Sequence, residues 1–267
     1  MNIISLLLAS VLTVPQGKAL ELKTPHQDGI VSVQALWQGK KIPYVHVGGD
    51  WIAIVGVDMD VKVGNYPTTV EISRVGAASK ETVDVRVTSV KFPTTQLQVE
   101  DKYVDLSPKD LARANAEAKE IEQIHNTTGK EILWSEAFQS PVDGVTAGSN
   151  FGHRRVFNGQ GRNPHNGADL KATTGTPIHA ANRGRVVLAK DLFFTGNTVM
   201  VDHGLGVITL YAHLSRIDVK PGTLVERGQL LGLAGATGRV TGPHLHWGAR
   251  IQNARVDPFS LIAIGKP

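Results

Sequence analysis

Residues 242–248 read Gly-Pro-His-Leu-His-Trp-Gly, and this stretch decides which fold and chemistry the second half of the chain should have. The segment predicts a β-strand that carries two histidines, His244 and His246. Residues two apart on a strand point to the same face, roughly 6–7 Å from each other. One imidazole can then hold a metal while the other stands beside it. Two like-facing imidazoles are hard to satisfy in a plain core, so the pair favours a functional site.

His165 and Asp169 lie four residues apart upstream of that strand. Prolines and glycines around them predict a loop that enters a strand. Read alone, the pair fits a hydrogen-bonded structural contact at least as well as a site. His213 lies on a predicted strand whose alternate residues are apolar. Taken alone, it would be interpreted as a hydrogen-bonded strand histidine. Seven of the ten histidines nevertheless fall between residues 153 and 246, so the chemistry is expected there.

The chain contains no cysteine, so any bound metal must use histidine and carboxylate ligands. His165, Asp169 and one histidine of the 244/246 pair would supply two nitrogens and one oxygen. That set is expected of a catalytic zinc with an open fourth position. Imidazole ligands favour Zn²⁺ over Ca²⁺ or Mg²⁺. The remaining imidazoles could move protons near neutral pH.

Between about residues 149 and 258 the chain resembles the LytM/lysostaphin-type zinc peptidases, the β-lytic group. Four segments in this order carry the resemblance: Ser-Asn-Phe-Gly-His-Arg at 149–154, His-Asn-Gly-Ala-Asp-Leu at 165–170, Tyr-Ala-His-Leu at 211–214, and Ala-Thr-Gly-Arg-Val-Thr-Gly-Pro-His-Leu-His at 236–246. They cover less than half of the chain. The N-terminal region has no part in this resemblance.

The resemblance implies that one Zn²⁺ per chain is bound by His165, Asp169 and His246. It also implies that His213 and His244 are catalytic histidines that do not bind the metal. One of these two would accept the proton of the attacking water. The other would stabilise the oxyanion or protonate the leaving amine, and the sequence leaves open which does which.

Two further residues are candidates for contact with the substrate. Tyr211 stands two residues before His213, so it should face the same side and line the groove. Arg154, in the first matching segment, is expected to have a structural role or to lie at the edge of the substrate site.

The implied activity is zinc-dependent endopeptidase cleavage of peptide bonds in peptidoglycan stem peptides or cross-links. Peptidoglycan is the expected partner. A non-catalytic peptidoglycan-binding or amidase-activating module of the same fold is the alternative, but such modules lose zinc ligands that are all present here. A carrier barrel is a third option, because residues 219–232 resemble a biotinyl or lipoyl hairpin. That option lacks a lysine in the modification turn and leaves the histidines unexplained.

Composition sets the broad class of the protein. The 267 residues are 41% hydrophobic and 19% charged with a net charge of +4, which suits a folded protein with a core. Lysine and arginine form no cluster, so nucleic-acid binding is not expected. The apolar start of the chain is too short to span a bilayer and predicts a signal peptide over residues 1–19. We therefore expect export to the periplasm, cell envelope or medium, without a transmembrane span in the mature chain.

The rest of the sequence predicts a mainly β protein. Alternating segments at 61–63, 69–72 and 82–88, a turn at 64–67, and β-prone segments at 30–37 and 51–57 predict a β-sandwich over residues 20–102, for which an immunoglobulin-like arrangement is one option. Residues 103–132 should form a helical linker, capped by Ser107 with Pro108 in the first turn. An apolar stripe from Leu111 to Ile124 should pack on a neighbouring domain.

Residues 133–267 should then form the peptidase domain, an antiparallel sheet of β-hairpins. The N-terminal domain could position this domain, bind the envelope or cover the active site, so intramolecular regulation is one expectation.

Overall fold

A computed structural model describes residues 11–98, 106–127, 131–134, 136–161 and 163–264. The strands of the N-terminal part are β1 (Leu12–Pro15), β2 (Lys18–Pro25), β3 (Ile30–Trp37), β4 (Lys40–Pro43), β5 (Val45–Val47), β6 (Asp50–Val57), β7 (Gly64–Arg74), β8 (Ala77–Thr88) and β9 (Thr94–Leu97). β1, β8, β7, β3 and β4 form one sheet in that order, and β2, β6 and β5 form another. Alternate side chains of both sheets, among them Leu22, Val33, Ile72 and Val85, share one core. This arrangement confirms the predicted β-sandwich.

Part of the predicted signal peptide belongs to the folded sandwich. β1 pairs in parallel with β8, and Val14 is buried in the sandwich core. Lys18 and Ala19 open β2, which pairs with β6. The predicted boundary at residue 19 is therefore corrected, because cleavage there would remove β1 and the start of β2. Residues 1–10, where the rest of the predicted leader lies, are outside the described residues.

The turn predicted at residues 64–67 is a strand. Gly64 to Pro67 begin β7 and pair with β8, while residues 61–63 lie outside the strands. Proline lacks the N–H group that a central strand position needs. β3 reaches β7 only from Thr69 onward, so Pro67 has a neighbouring strand on one side alone.

The sandwich also ends earlier than residue 102. Its last strand is β8, whereas β9 pairs in parallel with β10 (Arg154–Phe157), beside the segment that carries His153 and His165. The predicted boundary itself falls in residues 99–105, outside the described part of the chain.

The predicted helix is α1 (Pro108–His125). Ser107 caps it, because its side chain accepts a hydrogen bond from the Asp110 N–H at 3.1 Å. Ile121 and Ile124 pack on a small apolar cluster of the second domain. Leu111 is 48% exposed, so the start of the predicted apolar stripe is wrong. Among the described residues, no helix is both long and apolar enough to cross a membrane.

The second domain is a large antiparallel sheet with short added strands. Its elements after β10 are β11 (Gln160–Gly161), β12 (Gly167–Leu170), β13 (Pro177–His179), β14 (Gly184–Leu192), β15 (Gly196–Asp202), β16 (Val207–Ile217), β17 (Leu224–Val225), β18 (Leu230–Ala234), β19 (Leu245–Ile251), β20 (Ala254–Val256) and α2 (Phe259–Ile262). The main order is β12, β19, β16, β15, β14 and β17. Leu245, Trp247, Ala249 and Ile251 of β19 face the core. The alternate residues of β19 therefore face the other side of the sheet.

The two domains meet at the end of β19 that lies away from His246. Gly56 of β6 packs so closely on the β19–β20 hairpin that a Cβ atom there would lie 2.7 Å from Cβ of Ala254. Arg255 on β20 binds Asp58 at 2.6 Å and Asp60 at 2.7 Å across the interface. Lys18 likewise binds Asp257 at 2.6 Å. These contacts fix the sandwich against the sheet of the second domain.

Replacing Arg255 with alanine is expected to lower the free energy of unfolding by about 1–3 kcal/mol at pH 7, since it leaves Asp58 partly buried without its partner. Burial alone would raise the pKa of Asp58, but its hydrogen bonds with Arg255 outweigh burial and lower the pKa. Depressed carboxyl pKa values stabilise the fold above the unfolded value, near 4, and this contribution disappears as the pH falls further.

Thermal unfolding at pH 7 and pH 3 checks this expectation. Arg216→Ala is the matched control, because the one ion pair of Arg216 among the described residues is with the neighbouring Asp218 on the surface. A difference in unfolding temperature between wild type and Arg255→Ala that is absent at pH 7, or equally large at pH 3, would contradict this expectation.

Candidate metal centre

Three predicted ligands converge where β12 meets β19. Asp169 on β12 stands directly opposite His246 on β19 in the antiparallel register. His165 lies in the loop just before β12. Asp169 Oδ1 is 3.1 Å from His165 Nε2 and 3.1 Å from His246 Nδ1. One donor atom from each residue falls within 4.8 Å of the others.

The backbone holds the His165 ring in one orientation. His165 Nδ1 donates a hydrogen bond to the Asn150 carbonyl at 3.0 Å, which leaves Nε2 facing Asp169. The segment that carries Asn150 is anchored in turn, because Ser149 pairs with the backbone of Asp169. Such outer hydrogen bonds fix the tautomer and the direction of a ligating imidazole.

The protonation states also suit a cation. Burial would raise the pKa of Asp169, but hydrogen bonds from His165 and His246 outweigh burial and hold the pKa well below its usual range. Burial lowers the pKa of His246, which keeps this imidazole neutral. A metal requires a charged carboxylate and neutral imidazoles. Two imidazole nitrogens and one carboxylate oxygen therefore fit Zn²⁺ as a three-ligand catalytic site.

His213 reaches the same site through a β-bulge. Val199 pairs with Tyr211 and Asn197 with Leu214, so β16 holds one residue more than β15 across this step. His213 adopts a left-handed backbone with φ 64°, a conformation that side chains rarely adopt and that costs on the order of 1–2 kcal/mol. The bulge turns the imidazole toward the metal site instead of the core. Strain of this kind is typical of functional positions.

His213 and His244 face each other beside the three ligands. Their ring centroids are 4.9 Å apart, and His244 Nε2 lies 3.6 Å from Asp169 Oδ1. His213 Nδ1 donates to the Thr237 carbonyl and His244 Nδ1 to the Gly242 carbonyl, each at 2.9 Å. Both rings therefore keep Nε2 free for proton transfer. Burial lowers the pKa of His213 to about 4, so it is a neutral proton acceptor at pH 7.

Tyr211 does not line the groove, contrary to the sequence prediction. Its side chain is fully buried, and its hydroxyl accepts a hydrogen bond from the Ala181 N–H at 2.9 Å. Thr209 links this hydroxyl to His203, whose Nδ1 donates to a backbone carbonyl. The prediction assumed regular alternation from Tyr211 to His213, and the bulge breaks that alternation.

Arg154 makes an interdomain contact instead of lying in the groove. Its guanidinium binds Asp60 of the sandwich at 2.5 Å. This contact supports the structural role that the sequence predicts for Arg154 as one of two options. Sequence reasoning could not find this pair, because nothing local connects residues 60 and 154.

Sequence reasoning also missed the residues that orient the histidines. Asn150, Thr237 and Gly242 act through backbone carbonyls, which leave no side-chain signal. Gly167 does leave a signal in the sequence, because it is a glycine between the two predicted ligands His165 and Asp169. A Cβ atom there would lie 2.7 Å from His246 Cε1 and 2.5 Å from the Trp247 carbonyl oxygen.

Gly167→Ala is accordingly expected to displace the His246 ring and to weaken zinc binding about 10- to 100-fold, the range seen when groups that support a ligand are changed. Gly161→Ala is the matched control, because nothing lies within 4 Å of a Cβ atom at that position. Competition with a zinc chelator measures both affinities. Equal affinities for the two variants would contradict the expected clash.

The fold and the site define a class: a β-sheet metallohydrolase with three protein ligands and two histidines beside them. The family model for peptidase family M23 matches residues 163–258. A crystal structure of a Pseudomonas aeruginosa protein described as an M23 peptidase superposes with a TM-score of 0.69 and 33% identity, covering 91% of this chain and 92% of that one. The chain belongs to peptidase family M23.

Curated relatives match over shorter segments. Peptidoglycan DD-endopeptidase ShyA of Vibrio cholerae is 47% identical over 148 residues, which are 54% of this chain and 31% of that protein. DD-carboxypeptidase/endopeptidase Mpg of Neisseria meningitidis is 44% identical over 97 residues, 36% of this chain and 22% of that protein. The chain thus spans about a third or less of the length of these relatives.

Proposed function

We propose that this protein is a zinc-dependent endopeptidase that hydrolyses peptide bonds in peptidoglycan stem peptides or cross-links. One observation carries the proposal: donor atoms of His165, Asp169 and His246 lie within 4.8 Å of one another, with two further histidines beside them. Loss of ligands marks the non-catalytic alternative, and this chain keeps all three.

The bound zinc would lower the pKa of a coordinated water towards about 7 and polarise the scissile carbonyl. Residues of the chain bind the cation and transfer the protons. His165, Asp169 and His246 hold the cation, and the Asn150 carbonyl keeps His165 in place. The free Nε2 atoms of His213 and His244 stand where one can accept the water proton and the other can donate to the oxyanion or the leaving amine.

The substrate class rests on the relatives. ShyA is named a peptidoglycan DD-endopeptidase and Mpg a DD-carboxypeptidase/endopeptidase. The residues that the family model matches, 163–258, include every proposed ligand. An enzyme acting on peptidoglycan must reach the cell wall, so we propose that the protein is exported to the periplasm or cell envelope.

For the N-terminal sandwich we propose a positioning role. Its ion pairs with the second domain involve β20, Asp257 after it, and Arg154 of β10. His246 and Ile251 are five residues apart on β19, roughly 17 Å along the strand. The contacts at β20 lie that far from the metal site, and this favours positioning over coverage of the site.

Zinc content and peptidoglycan digestion, measured on the same preparation, test the proposal. We expect about one zinc per chain and the conversion of cross-linked peptide dimers into monomers. Dialysis against a chelator should abolish cleavage, and added zinc should restore it. A chain that binds peptidoglycan without taking up zinc would refute the enzyme proposal in favour of a wall-binding module.

A further inference from the structure

A cavity of about 500 Å³ lies between α1 and the peptidase sheet. Asn166 and Thr195 line one end, and both adjoin the metal centre: Asn166 follows His165, and the Thr195 carbonyl accepts the backbone N–H of His213 at 2.9 Å. Arg250 and Asn253 line the other end. The cavity therefore leads away from the metal centre.

Arg250 lines the cavity from the outer face of β19. His246, Gly248 and Arg250 alternate with the core residues of that strand, so they share this face. At Gly248, between these two residues, a Cβ atom would lie 3.6 Å from Leu210 Cβ and 3.8 Å from the Asn166 carbonyl oxygen. His246 and Arg250 are four residues apart, roughly 13 Å along the strand. An extended peptide covers that distance with about four residues.

Arg250 is a cation without an ionic partner. Its guanidinium is partly buried, and burial lowers its pKa. Within the described part of the chain no carboxylate forms an ion pair with it. Its hydrogen bonds run from Nη1 to the carbonyl and side-chain oxygens of Asn253, each at 3.0 Å. Nε and Nη2 remain for a ligand, and removing an arginine from water without an anion is unfavourable.

The surrounding residues hold this group in place. Asn253 Nδ2 donates to Asn126 Oδ1, at the C-terminal cap of α1, at 3.0 Å. The acidic residues of the cavity do not neutralise Arg250: Glu117 is engaged by Arg113 and by the Phe193 N–H, and Glu122 is exposed at the rim. Buried His125 adds a neutral imidazole, since burial lowers its pKa to about 3. The cavity thus offers one cation and several neutral polar groups.

We infer that this cavity is a specificity subsite in which Arg250 binds a free carboxylate of the substrate peptide, about four residues from the cleaved bond. The inference rests on the proposed peptidase function. Arginine is suited to this task because its planar fork matches a carboxylate with two hydrogen bonds. α1 supplies the opposite wall, so the linker helix takes part in substrate selection.

The test compares two cross-linked stem-peptide dimers, one with free carboxyl groups and one in which a single free carboxyl is converted to its amide. Amidation at the position bound by Arg250 should raise KM for the wild-type protein about 10- to 100-fold and leave kcat nearly unchanged. Arg250→Gln should show the raised KM on both dimers. Ala118→Trp, which adds bulk to the cavity wall on α1, should raise KM for the free acid similarly. Arg216→Gln, a surface control, should behave as wild type.

Binding of both dimers to metal-loaded His213→Ala protein, measured by calorimetry, separates this subsite from the proposed function. Preference for the free acid that disappears when Arg250→Gln is added supports the subsite, even if the wild-type chain cleaves neither dimer. Cleavage without preference for any free carboxyl would overturn the subsite and leave the peptidase function standing. An equal loss of kcat on both dimers in Arg250→Gln would also overturn it, because it would mark a structural role.

Discussion

His246→Ala is expected to bind zinc more than a hundredfold more weakly and to lose detectable cleavage. The substitution removes one of three ligands, so its effect should exceed the 10- to 100-fold seen for groups that only support a ligand. It also leaves the partly buried Asp169 without one of the two imidazoles that hold its pKa low. Metal analysis after gel filtration, together with a digestion assay, measures both effects.

His179→Ala is the matched control for this variant. His179 lies in the same domain on β13, and its carboxylate neighbour Asp143 is 3.8 Å away. It should keep one zinc and wild-type cleavage. If His246→Ala also retained one tightly bound zinc per chain, the proposed ligand set would be wrong.

His213→Ala is expected to keep its zinc and to lose about 10²- to 10⁴-fold in kcat, the usual contribution of a general acid or base. His213 is not opposite Asp169 in the sheet, and its Nδ1 is committed to the Thr237 carbonyl. Its neutral Nε2 is thus available to move a proton at pH 7. His244→Ala should behave similarly, and the double variant should be little worse than either single one, because the two rings act as a unit.

The backbone conformation of His213 allows a second measurement, that of thermal stability. Its left-handed conformation is tolerated by asparagine better than by alanine. His213→Asn should therefore unfold at a higher temperature than His213→Ala while remaining equally inactive. Loss of zinc from either variant, or cleavage above a tenth of the wild-type rate, would contradict the assigned role.

Local patterns were enough to predict most strands and the residues that meet at the site. Alternation predicted β8, β-prone segments predicted β3 and β6, and Ser107-Pro108 predicted the start of α1. The roles of the histidines came from the family resemblance, not from spacing. Spacing left open which member of the 244/246 pair joins Asp169, since only the register of β12 on β19 brings His246 opposite that carboxylate.

The errors have a common physical origin, which is that nonlocal contacts override local pattern. Tyr211 lies in the core because a bulge separates it from His213. Pro67 lies in a strand because its other side has no neighbour to pair with. The apolar residues near Val14 resemble a leader by composition, but a parallel pairing with β8 places them in the sandwich. None of these partners lies close in sequence.

Diffraction data from zinc-loaded crystals, collected on both sides of the zinc absorption edge, test the central claim most directly. The account predicts one strong anomalous peak per chain, about 2.0–2.2 Å from His165 Nε2, Asp169 Oδ1 and His246 Nδ1, with neither His213 nor His244 bonded to it. A peak coordinated by His213 or His244, or no peak between β12 and β19, would contradict it.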